Sequence, residues 1–555
     1  MVVEAFHAVK GITVVGDGAG SNGNGGTGGG RYGGIGGMVV ALAVCGAADW
    51  LFLRWWVDLW WQICWFGGVL AELVFWWWLA VAVVVGGGDD ENFCKDYLVL
   101  KPEEASPLDC IRILYSSALQ KRNFFNAPEE ATVRGFRHRW IIFVSVVMQK
   151  LFLWLKGPVA KIGSLLELWL NYPSCNGGYC TLFLNLLTGR LVRPDNSSPN
   201  FRSIVGNLDT RVELDGSIKN GDNRYIPSLA MMASKLSYEN KAFVQNVIRD
   251  KWQMKFMEFY NFWNDYEEMD TAQAIMFEDT STGNNLIVVA FRGTGPFDTN
   301  AWRTDVDISW YEFPGIGKIH GGFLKALGLQ KNEGWPEKIQ LNSNQKLFAY
   351  YTIRENLKTR IHDNKNAKFI LTGHSLGGAL AILFVAILTM HGEEMLLDRL
   401  EEVYTFGQPR VGNKQFGDYM KEKLREFKVK YLRYVYCNDI VPRLPYDDKT
   451  FLFKHFGACL YFNSCYKGQF REEEPNKNYF SFLYILPKIL NAVFELIRSL
   501  ILPWRKGLEY KEGWFMKIFR IAALVLPGLV DHFPQDYNNS TRLGNLPPNE
   551  YLKKD

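Results

Sequence analysis

The sequence has almost no excess of either charge. Its 62 Lys and Arg against 58 Asp and Glu leave a net charge of +4 over 555 residues. Nucleic-acid-binding surfaces depend on clustered positive charge, so this balance gives no reason to expect nucleic acid as a partner. The mean hydropathy of -0.10 also excludes a chain that crosses a membrane many times. Apolar residues must therefore be concentrated in a few segments.

The sequence also lacks cysteines at the spacing of metal ligands. Its nine cysteines are scattered, with no C-x-x-C motif, so we expect no metal ion and no cofactor. Two pairs, Cys175 with Cys180 and Cys459 with Cys465, are near enough in sequence to form disulfides. The odd count and the lack of a secretory signal instead favour reduced thiols in a domain that faces the cytosol.

The first 88 residues are biased in composition. Residues 1–37 are rich in glycine and are predicted to be disordered. Residues 38–88 are strongly apolar and include Ile63–Val85, whose only charged residue is Glu72. This segment is long enough to cross a bilayer core of ~30 Å. The alternative is an interfacial or buried hydrophobic segment.

A second apolar segment lies within residues 89–200, which we expect to form an N-terminal helical region. A basic cluster that ends at Arg139 precedes the aromatic-rich segment Trp140–Leu155. Basic residues beside an apolar segment are typical of proteins on anionic membranes or lipid droplets. We therefore predict that residues 134–156 associate with lipid. A buried helix of the folded domain is the alternative.

Residues 201–555 have an α/β pattern in which short apolar runs alternate with helical ones. Leu286–Phe291 (LIVVAF) is a continuous apolar run typical of a central strand, and Tyr431–Tyr436 is a similar candidate. The alternation predicts a mainly parallel sheet with functional loops at the carboxyl ends of its strands. We therefore expect an α/β-hydrolase fold.

One turn in this region has the sequence of a nucleophile elbow. The predicted strand Phe369–Thr372 runs into Gly373-His374-Ser375-Leu376-Gly377, and a long apolar helix follows. In this context a G-x-S-x-G motif presents its serine on a sharp strand-to-helix turn. The two glycines avoid a clash where strand and helix approach closely. The motif predicts a serine hydrolase with Ser375 as nucleophile and His374 as a packing or hydrogen-bonding residue.

The serine needs a base, and the base needs an acid that orients it. In an α/β-hydrolase the chain order is serine, acid, histidine, so the acid lies beyond Ser375. Asp439 follows the predicted strand Tyr431–Tyr436 by three residues and is the favoured candidate. Four other aspartates beyond the elbow are expected to face solvent: Asp398, Asp418, Asp447 and Asp448.

Two histidines lie beyond Asp439. His455 is in an alternating stretch typical of a strand, whereas His532 begins a loop after the last apolar element. A base needs a loop that brings its imidazole over the serine, which favours His532, although spacing alone leaves His455 open. For the oxyanion hole, Leu376 supplies the N–H after the nucleophile, and Thr294 follows the strand LIVVAF as the second donor.

The C-terminal part contains an amphipathic insertion at residues 479–504. A narrow polar stripe recurs at helical spacing on an otherwise apolar helix: Lys488, Asn491, Glu495 and Arg498. Such a helix lies in a lipid interface or docks on apolar protein, and we favour the lipid interface.

Several motifs together resemble the class 3 lipase family, the fungal-type triacylglycerol lipases. VAFRGT, HGGFL, GHSLGGALA, TFGQPRVGN and NDIVPRLP occur in the family's order over residues 272–444. The tail PGLVDHFPQDYNNSTRLG, with the chain from about residue 92, is more narrowly similar to the plant oil-body-associated triacylglycerol lipases. The resemblance implies a triad of Ser375, Asp439 and His532, which resolves the choice of histidine. It also implies an oxyanion hole of Thr294 and Leu376.

The resemblance further implies a lid within residues 295–309, where Phe297 and Trp302 cover the site in water and turn onto lipid at an interface. We therefore expect a triacylglycerol lipase that acts on acyl lipids at a lipid-droplet or endoplasmic-reticulum surface. The alternatives are a phospholipase A1 or galactolipase and, in another class, a non-catalytic droplet coat or tether. The sequence leaves the oligomeric state open.

Overall fold

The computed structural model describes residues 97–116, 122–128, 135–281, 285–331, 346–445, 453–475, 479 and 481–545. The predicted disordered leader, residues 1–37, and the predicted apolar segment, residues 38–88, lie outside these ranges. Both remain predictions.

The described strands, in chain order, are β1 Tyr97–Leu100, β2 Phe125–Asn126, β3 Lys255–Asn264, β4 Met269–Asp279, β5 Leu286–Phe291, β6 Trp310–Phe313, β7 Gly317–His320, β8 Lys368–His374, β9 Leu400–Phe406, β10 Gly412–Asn413, β11 Lys430–Tyr436, β12 Phe453–Lys454, β13 Ala458–Phe462 and β14 Gly468–Arg471. The described α-helices are α1 Pro107–Tyr115, α2 Phe136–Cys175, α3 Tyr179–Leu187, α4 Ile204–Leu208, α5 Tyr225–Leu236, α6 Lys241–Asn246, α7 Thr299–Val306, α8 Gly321–Leu327, α9 Ala349–Asp363, α10 Leu376–Met390, α11 Glu394–Leu397, α12 Lys414–Glu426, α13 Ile485–Lys506, α14 Trp514–Ala522 and α15 Pro534–Leu543.

Short helical turns complete the described secondary structure. A π-helical turn follows α6 at Val247–Lys251. The 3-10 turns are Pro102–Glu104, Val441–Arg443, Phe482–Tyr484, Leu508–Tyr510 and Val530–His532.

The larger sheet of the described residues has eight strands in the order β14-β13-β11-β9-β8-β5-β4-β3. Strands β5, β8, β9, β11 and β13 are parallel, while β14 and the β3–β4 pair join antiparallel at the two edges. Register pairs Phe291 with Gly373, and Phe406 with both His374 and Tyr434. The carboxyl ends of β5, β8, β9 and β11 therefore meet at one edge. This is the mainly parallel sheet of the α/β-hydrolase fold that the sequence predicts.

The elbow strand is buried between two layers of helices. Phe369 and Leu371 of β8 pack into the cluster that contains α10, whereas Ile370 packs into the cluster on the α5 side. Helix α10 is buried from Leu376 to Leu388, which explains why its sequence is apolar on every face. This packing fixes the turn that joins β8 to α10.

Strands β1 and β2 belong to a second, smaller sheet of the described residues, whose strand order is β12-β10-β7-β6-β1-β2. Strand β1 pairs antiparallel with β6, which follows α7. The predicted lipid-associating segment, residues 134–156, is part of the single 40-residue helix α2. Ile141, Ile142 and Phe152 of α2 are buried in a cluster with Val306 at the end of α7.

One described helical stretch, His138–Cys175 within α2, is long and apolar enough to cross a membrane, and half of its most apolar window is buried in the protein.

Candidate active site

Ser375 lies in a sharp turn between β8 and α10. Its backbone has φ 59° and ψ -129°, outside the region that most residues adopt. A Cβ on Gly373 would lie 2.1 Å from the carbonyl carbon of Gly377, and one on Gly377 would lie 2.2 Å from the carbonyl oxygen of Phe291. Both positions therefore require glycine, as the sequence predicts. The Ser375 N–H donates to the carbonyl of Phe406 at 2.8 Å, which ties the turn to β9.

Asp439 is fully buried three residues beyond the end of β11. Its Oδ1 accepts the N–H of Val441 at 2.8 Å, and its Oδ2 accepts the hydroxyl of Tyr537 at 2.5 Å. His532 Nδ1 lies 2.9 Å from Oδ2 and 3.1 Å from Oδ1. These contacts hold the carboxylate and the imidazole in a fixed mutual orientation.

His532 is brought to the elbow through the residue before the serine. The ring of His374 lies 4.6 Å from the ring of His532, and His374 Nε2 is 2.7 Å from the carbonyl oxygen of His532. That contact requires a proton on Nε2, so Nδ1 accepts the hydroxyl of Tyr238 at 2.9 Å. Burial holds the pKa of His374 well below its usual range. His374 is therefore neutral and anchors the His532 loop.

The position opposite the Asp439–His532 pair is a glycine for steric reasons. A Cβ on Gly407 would lie 2.8 Å from Asp439 Oδ2 and 2.9 Å from His532 Nδ1. Gly407 also has φ +62°. A side chain there would displace the imidazole.

The other candidate base, His455, makes its hydrogen bonds to residues other than Asp439. His455 Nε2 lies 2.6 Å from the carbonyl oxygen of Pro442 and 3.4 Å from Glu474. Burial lowers the pKa of His455 to about 3. Asp439 thus contacts His532, the histidine that the resemblance implies, and His455 serves a buried polar cluster.

Thr294 follows β5 by three residues, at the same sheet edge as the elbow. Its hydroxyl donates to Asp305 Oδ2 at 2.8 Å. Leu376 is buried in the first turn of α10, where backbone N–H groups have no partner within the helix. The two predicted oxyanion donors therefore lie on the loop and the helix that flank Ser375.

Asp305 is a half-buried carboxyl near the end of α7. Burial raises its pKa to about 7, while the Thr294 hydrogen bond and His532 oppose the shift. In the unfolded chain it ionises near pH 4. Between pH 4 and pH 7 the folded protein retains this proton and the unfolded chain does not, so the contribution of Asp305 to stability falls as pH rises.

An Asp305→Asn variant cannot titrate at this position and can still accept the Thr294 hydroxyl. We expect it to gain about 1–2 kcal/mol over the wild type at pH 8, with the difference shrinking toward pH 4. Urea unfolding of both proteins at pH 4.5 and pH 8 measures this. A difference that is the same at both pH values would contradict the assignment.

The predicted lid residues pack on α2. Phe297 covers Gly163, where an added Cβ would lie 2.7 Å from Phe297 Cβ. The rings of Trp302 and Phe152 meet edge to face at 5.6 Å. Ser145 Oγ also donates to the carbonyl of Val306 at 2.8 Å, at the end of α7. Helix α7 and the residues on either side of it are therefore held against helix α2.

Cys437, Glu495 and Asp531 have potential metal-ligand atoms within 4.8 Å of one another. Burial raises the pKa of the Cys437 thiol and of the Asp531 carboxyl well above their usual values, and Glu495 adds to the shift at Asp531. Metal ligation would require the loss of both protons. Asp531 instead accepts the N–H of Asn438 at 2.9 Å, beside Asp439.

Three residues of this region have no distinctive sequence signal: Tyr238, Asp305 and Tyr537. Tyr537 is five residues beyond His532 on α15, and its hydroxyl also accepts the N–H of Tyr436. Each lies far from the Ser375 elbow in sequence, and local patterns do not predict that such residues meet at one site.

Known proteins similar to this chain are lipases. A family model described as Lipase (class 3) matches residues 288–449. Triacylglycerol lipase OBL1 of Arabidopsis thaliana is 41% identical over 497 residues, covering 82% of this chain and 96% of the relative. The protein of the same name from Nicotiana tabacum is 42% identical and covers 73% and 84%.

Among solved structures, the triacylglyceride lipase of Rhizomucor miehei is 23% identical, covers 44% of this chain and 81% of its own, and has a TM-score of 0.32. The family is identified from the relatives that match most of the chain. The chain belongs to the class 3 lipase family and, within it, to the group of plant lipases named OBL1.

Proposed function

We propose that this protein is a triacylglycerol lipase that hydrolyses acyl esters through a triad of Ser375, His532 and Asp439. The observation that supports this best is the 2.9 Å contact between His532 Nδ1 and Asp439, beside a strained serine turn. With Nδ1–H donated to Asp439, the lone pair of a neutral His532 is on Nε2. That nitrogen is the base that a serine hydroxyl requires.

Hydrolysis proceeds in two steps. Ser375 Oγ attacks the ester carbonyl carbon while His532 Nε2 accepts its proton, and the backbone N–H groups of Leu376 and Thr294 donate to the tetrahedral oxyanion. The bond to the glycerol oxygen then breaks, and His532 returns the proton to that oxygen. Water attacks the acyl-enzyme with His532 again as base, which releases the fatty acid and restores Ser375.

Triacylglycerol is the favoured substrate because relatives that match most of the chain are named triacylglycerol lipases. A phospholipase A1 or galactolipase would use the same triad, so the head group of the substrate decides between the enzymes. A non-catalytic droplet coat has no need of an ordered Asp439–His532 pair beside the Ser375 turn.

The substrate is tested by measuring fatty-acid release from triolein, phosphatidylcholine and monogalactosyldiacylglycerol with one preparation. Each lipid is presented as an emulsion or vesicle of matched surface area. We expect triolein to give the fastest initial rate, by about tenfold or more. A faster rate on phosphatidylcholine or galactolipid would favour the alternative enzymes, and no release from any of the three would favour the coat.

We place the enzyme at a lipid-droplet surface or at the endoplasmic reticulum, with its catalytic domain facing the cytosol. All six cysteines of the described residues are free thiols, including the two pairs that are near enough in sequence to form disulfides. We also propose that Phe297 and Trp302 form a lid over the active site, and that residues 134–156 and 479–504 associate with lipid. A membrane span within residues 38–88 would add an anchor.

A further inference from the structure

Helix α13, Ile485–Lys506, lies with its polar side packed against the rest of the protein. Of the polar stripe that the sequence predicts, Lys488, Glu495 and Arg498 are 8%, 1% and 9% exposed. A helix on a protein surface normally turns its apolar side inward and its charges toward water. This helix has the opposite orientation.

Buried ion pairs explain the orientation. Glu495 accepts the hydroxyl of Tyr436 at 2.7 Å, and Arg498 lies 2.8 Å from Asp536. Arg520 of α14 lies 2.7 Å from Asp536 and 3.4 Å from Glu495. These partners come from β11, α14 and α15, so the polar stripe completes a network of hydrogen bonds and ion pairs that the rest of the fold supplies.

The outward side of α13 is apolar for almost its whole length. Its most exposed large side chains before Arg505 are apolar and between 50% and 91% exposed: Leu486, Leu490, Ile497, Leu500 and Trp504. The described charged residues of the helix before Arg505 all belong to the buried stripe. About five turns of helix therefore present aliphatic and aromatic groups to the exterior.

Exposed apolar side chains also occur on helices other than α13. Trp514 of α14 meets Trp169 of α2 edge to face at 5.6 Å, which joins the C-terminal helices to the second half of α2. Further exposed apolar residues lie on α3, on α14 and just after α14: Leu184, Leu187, Ile521 and Val525. In the described part of residues 201–475, by contrast, the exposed large apolar residues are Leu347 and Met395. The exposed apolar groups are thus grouped on the terminal helices.

The chemistry of this surface fits a lipid monolayer. Trp504, 91% exposed, is followed by the exposed bases Arg505 and Lys506 at the end of the apolar side. Tryptophan beside basic residues is typical of segments that lie at a lipid surface, where the ring enters the interface and the cations meet anionic head groups. Continuous apolar patches of this kind are rare on monomeric proteins that stay in water.

We infer that the outward side of α13 docks the enzyme on the phospholipid-covered surface of a triacylglycerol droplet. The inference rests on the proposed function only for the identity of the droplet core. Two hydrogen bonds connect α13 to the active site. Lys488 Nζ donates to the carbonyl of Tyr479 at 3.0 Å, and the hydroxyl of Tyr479 donates to the carbonyl of Asn438 at 2.9 Å. Asn438 precedes Asp439, so docking fixes the triad relative to the lipid.

The test compares two double variants of the full chain, each in a Ser375→Ala background so that binding is measured without hydrolysis. Leu490→Ser with Ile497→Ser removes apolar groups from the outward side of α13. Leu347→Ser with Met395→Ser is the matched control, because those residues are exposed to a similar extent, 46% each, on other elements. Flotation with triolein droplets coated with phosphatidylcholine measures binding, and light scattering measures oligomeric state.

We expect the α13 variant to bind droplets at least ~10-fold more weakly and the control to bind within about twofold of the parent. A Leu490→Met, Ile497→Met variant should restore binding, which separates lost apolar contact from misfolding. Equal binding by both serine variants would overturn the inference. So would a dimeric parent that becomes monomeric in the α13 variant with unchanged droplet binding, since the surface would then join two copies.

The failure of the proposed function gives a different result. If the wild-type chain releases no fatty acid from triolein but the α13 variant still loses droplet binding, the docking surface stands and the substrate assignment does not.

Discussion

Replacing Ser375 with alanine is expected to reduce the rate of fatty-acid release from emulsified triolein by at least ~10³-fold. Alanine has no hydroxyl to form the acyl-enzyme, while the Asp439–His532 pair and the oxyanion donors are unchanged. The residue is 6% exposed and has no side chain beyond Cβ to lose except Oγ, so the fold should be retained. Initial rates at equal protein concentration measure the loss.

A matched control is Ser499→Ala, because Ser499 is also buried and, among the described residues, its hydroxyl donates only to the nearby carbonyl of Leu496. We expect this control to keep its activity within about twofold. If Ser375→Ala retained more than a tenth of the wild-type rate, with a normal thermal midpoint, the nucleophile assignment would be wrong.

The second large effect concerns stability. Arg520 is 1% exposed and its guanidinium is shared by three buried carboxylates: Glu495 at 3.4 Å, Glu512 at 2.8 Å and Asp536 at 2.7 Å. Arg520→Met keeps the side-chain volume but leaves these acids without their common cation. Breaking a buried ion pair in this way costs about 3–5 kcal/mol, so we expect a loss of at least ~3 kcal/mol in the free energy of unfolding.

Urea unfolding measures this loss, with Arg505→Met as the control. Arg505 is exposed at the end of the same group of helices, and its substitution should change stability by less than about 0.5 kcal/mol. An Arg520→Met protein within about 1 kcal/mol of the wild type would show that the network does not hold α13 and α14 in place.

The parts of the site that the sequence predicts are those encoded locally. LIVVAF and the run before Gly373 have the pattern of buried strands, and the structure has β5 and β8 at these positions. Thr294 and Asp439 each follow a strand by three residues, so a parallel sheet brings them to one edge. Their roles in catalysis stay predictions until the variants are measured.

Local sequence patterns do not predict contacts between segments that are distant in the chain. His532 is separated from Asp439 by 93 residues; its position in a loop favoured it over His455, and the family resemblance resolved the choice. Tyr537 and Asp305 acquire their roles from packing, since a tyrosine or an aspartate on a helix has no special pattern.

The amphipathic insertion shows the same limit. The sequence predicts the polar stripe of α13, but the direction that the stripe faces depends on partners elsewhere. Asp536 and Arg520 attract it inward, and both lie beyond the helix in the chain. The apolar segment Trp140–Leu155 is likewise only the first part of a longer helix, α2, which continues to Cys175. Its buried residues from Ile141 to Val159 pack with β1 and with the end of α7, which are distant from it in sequence.

The central claim, that Ser375 is the nucleophile of an acyl-lipid hydrolase, is tested most directly by titration with a long-chain p-nitrophenyl phosphonate, followed by mass spectrometry of the labelled chain. The triad predicts one nitrophenolate released per chain, the phosphonyl group on Ser375, and loss of triolein hydrolysis in the same proportion. Loss of hydrolysis with Ser375 unmodified, or full labelling of Ser375 with hydrolysis retained, would contradict it.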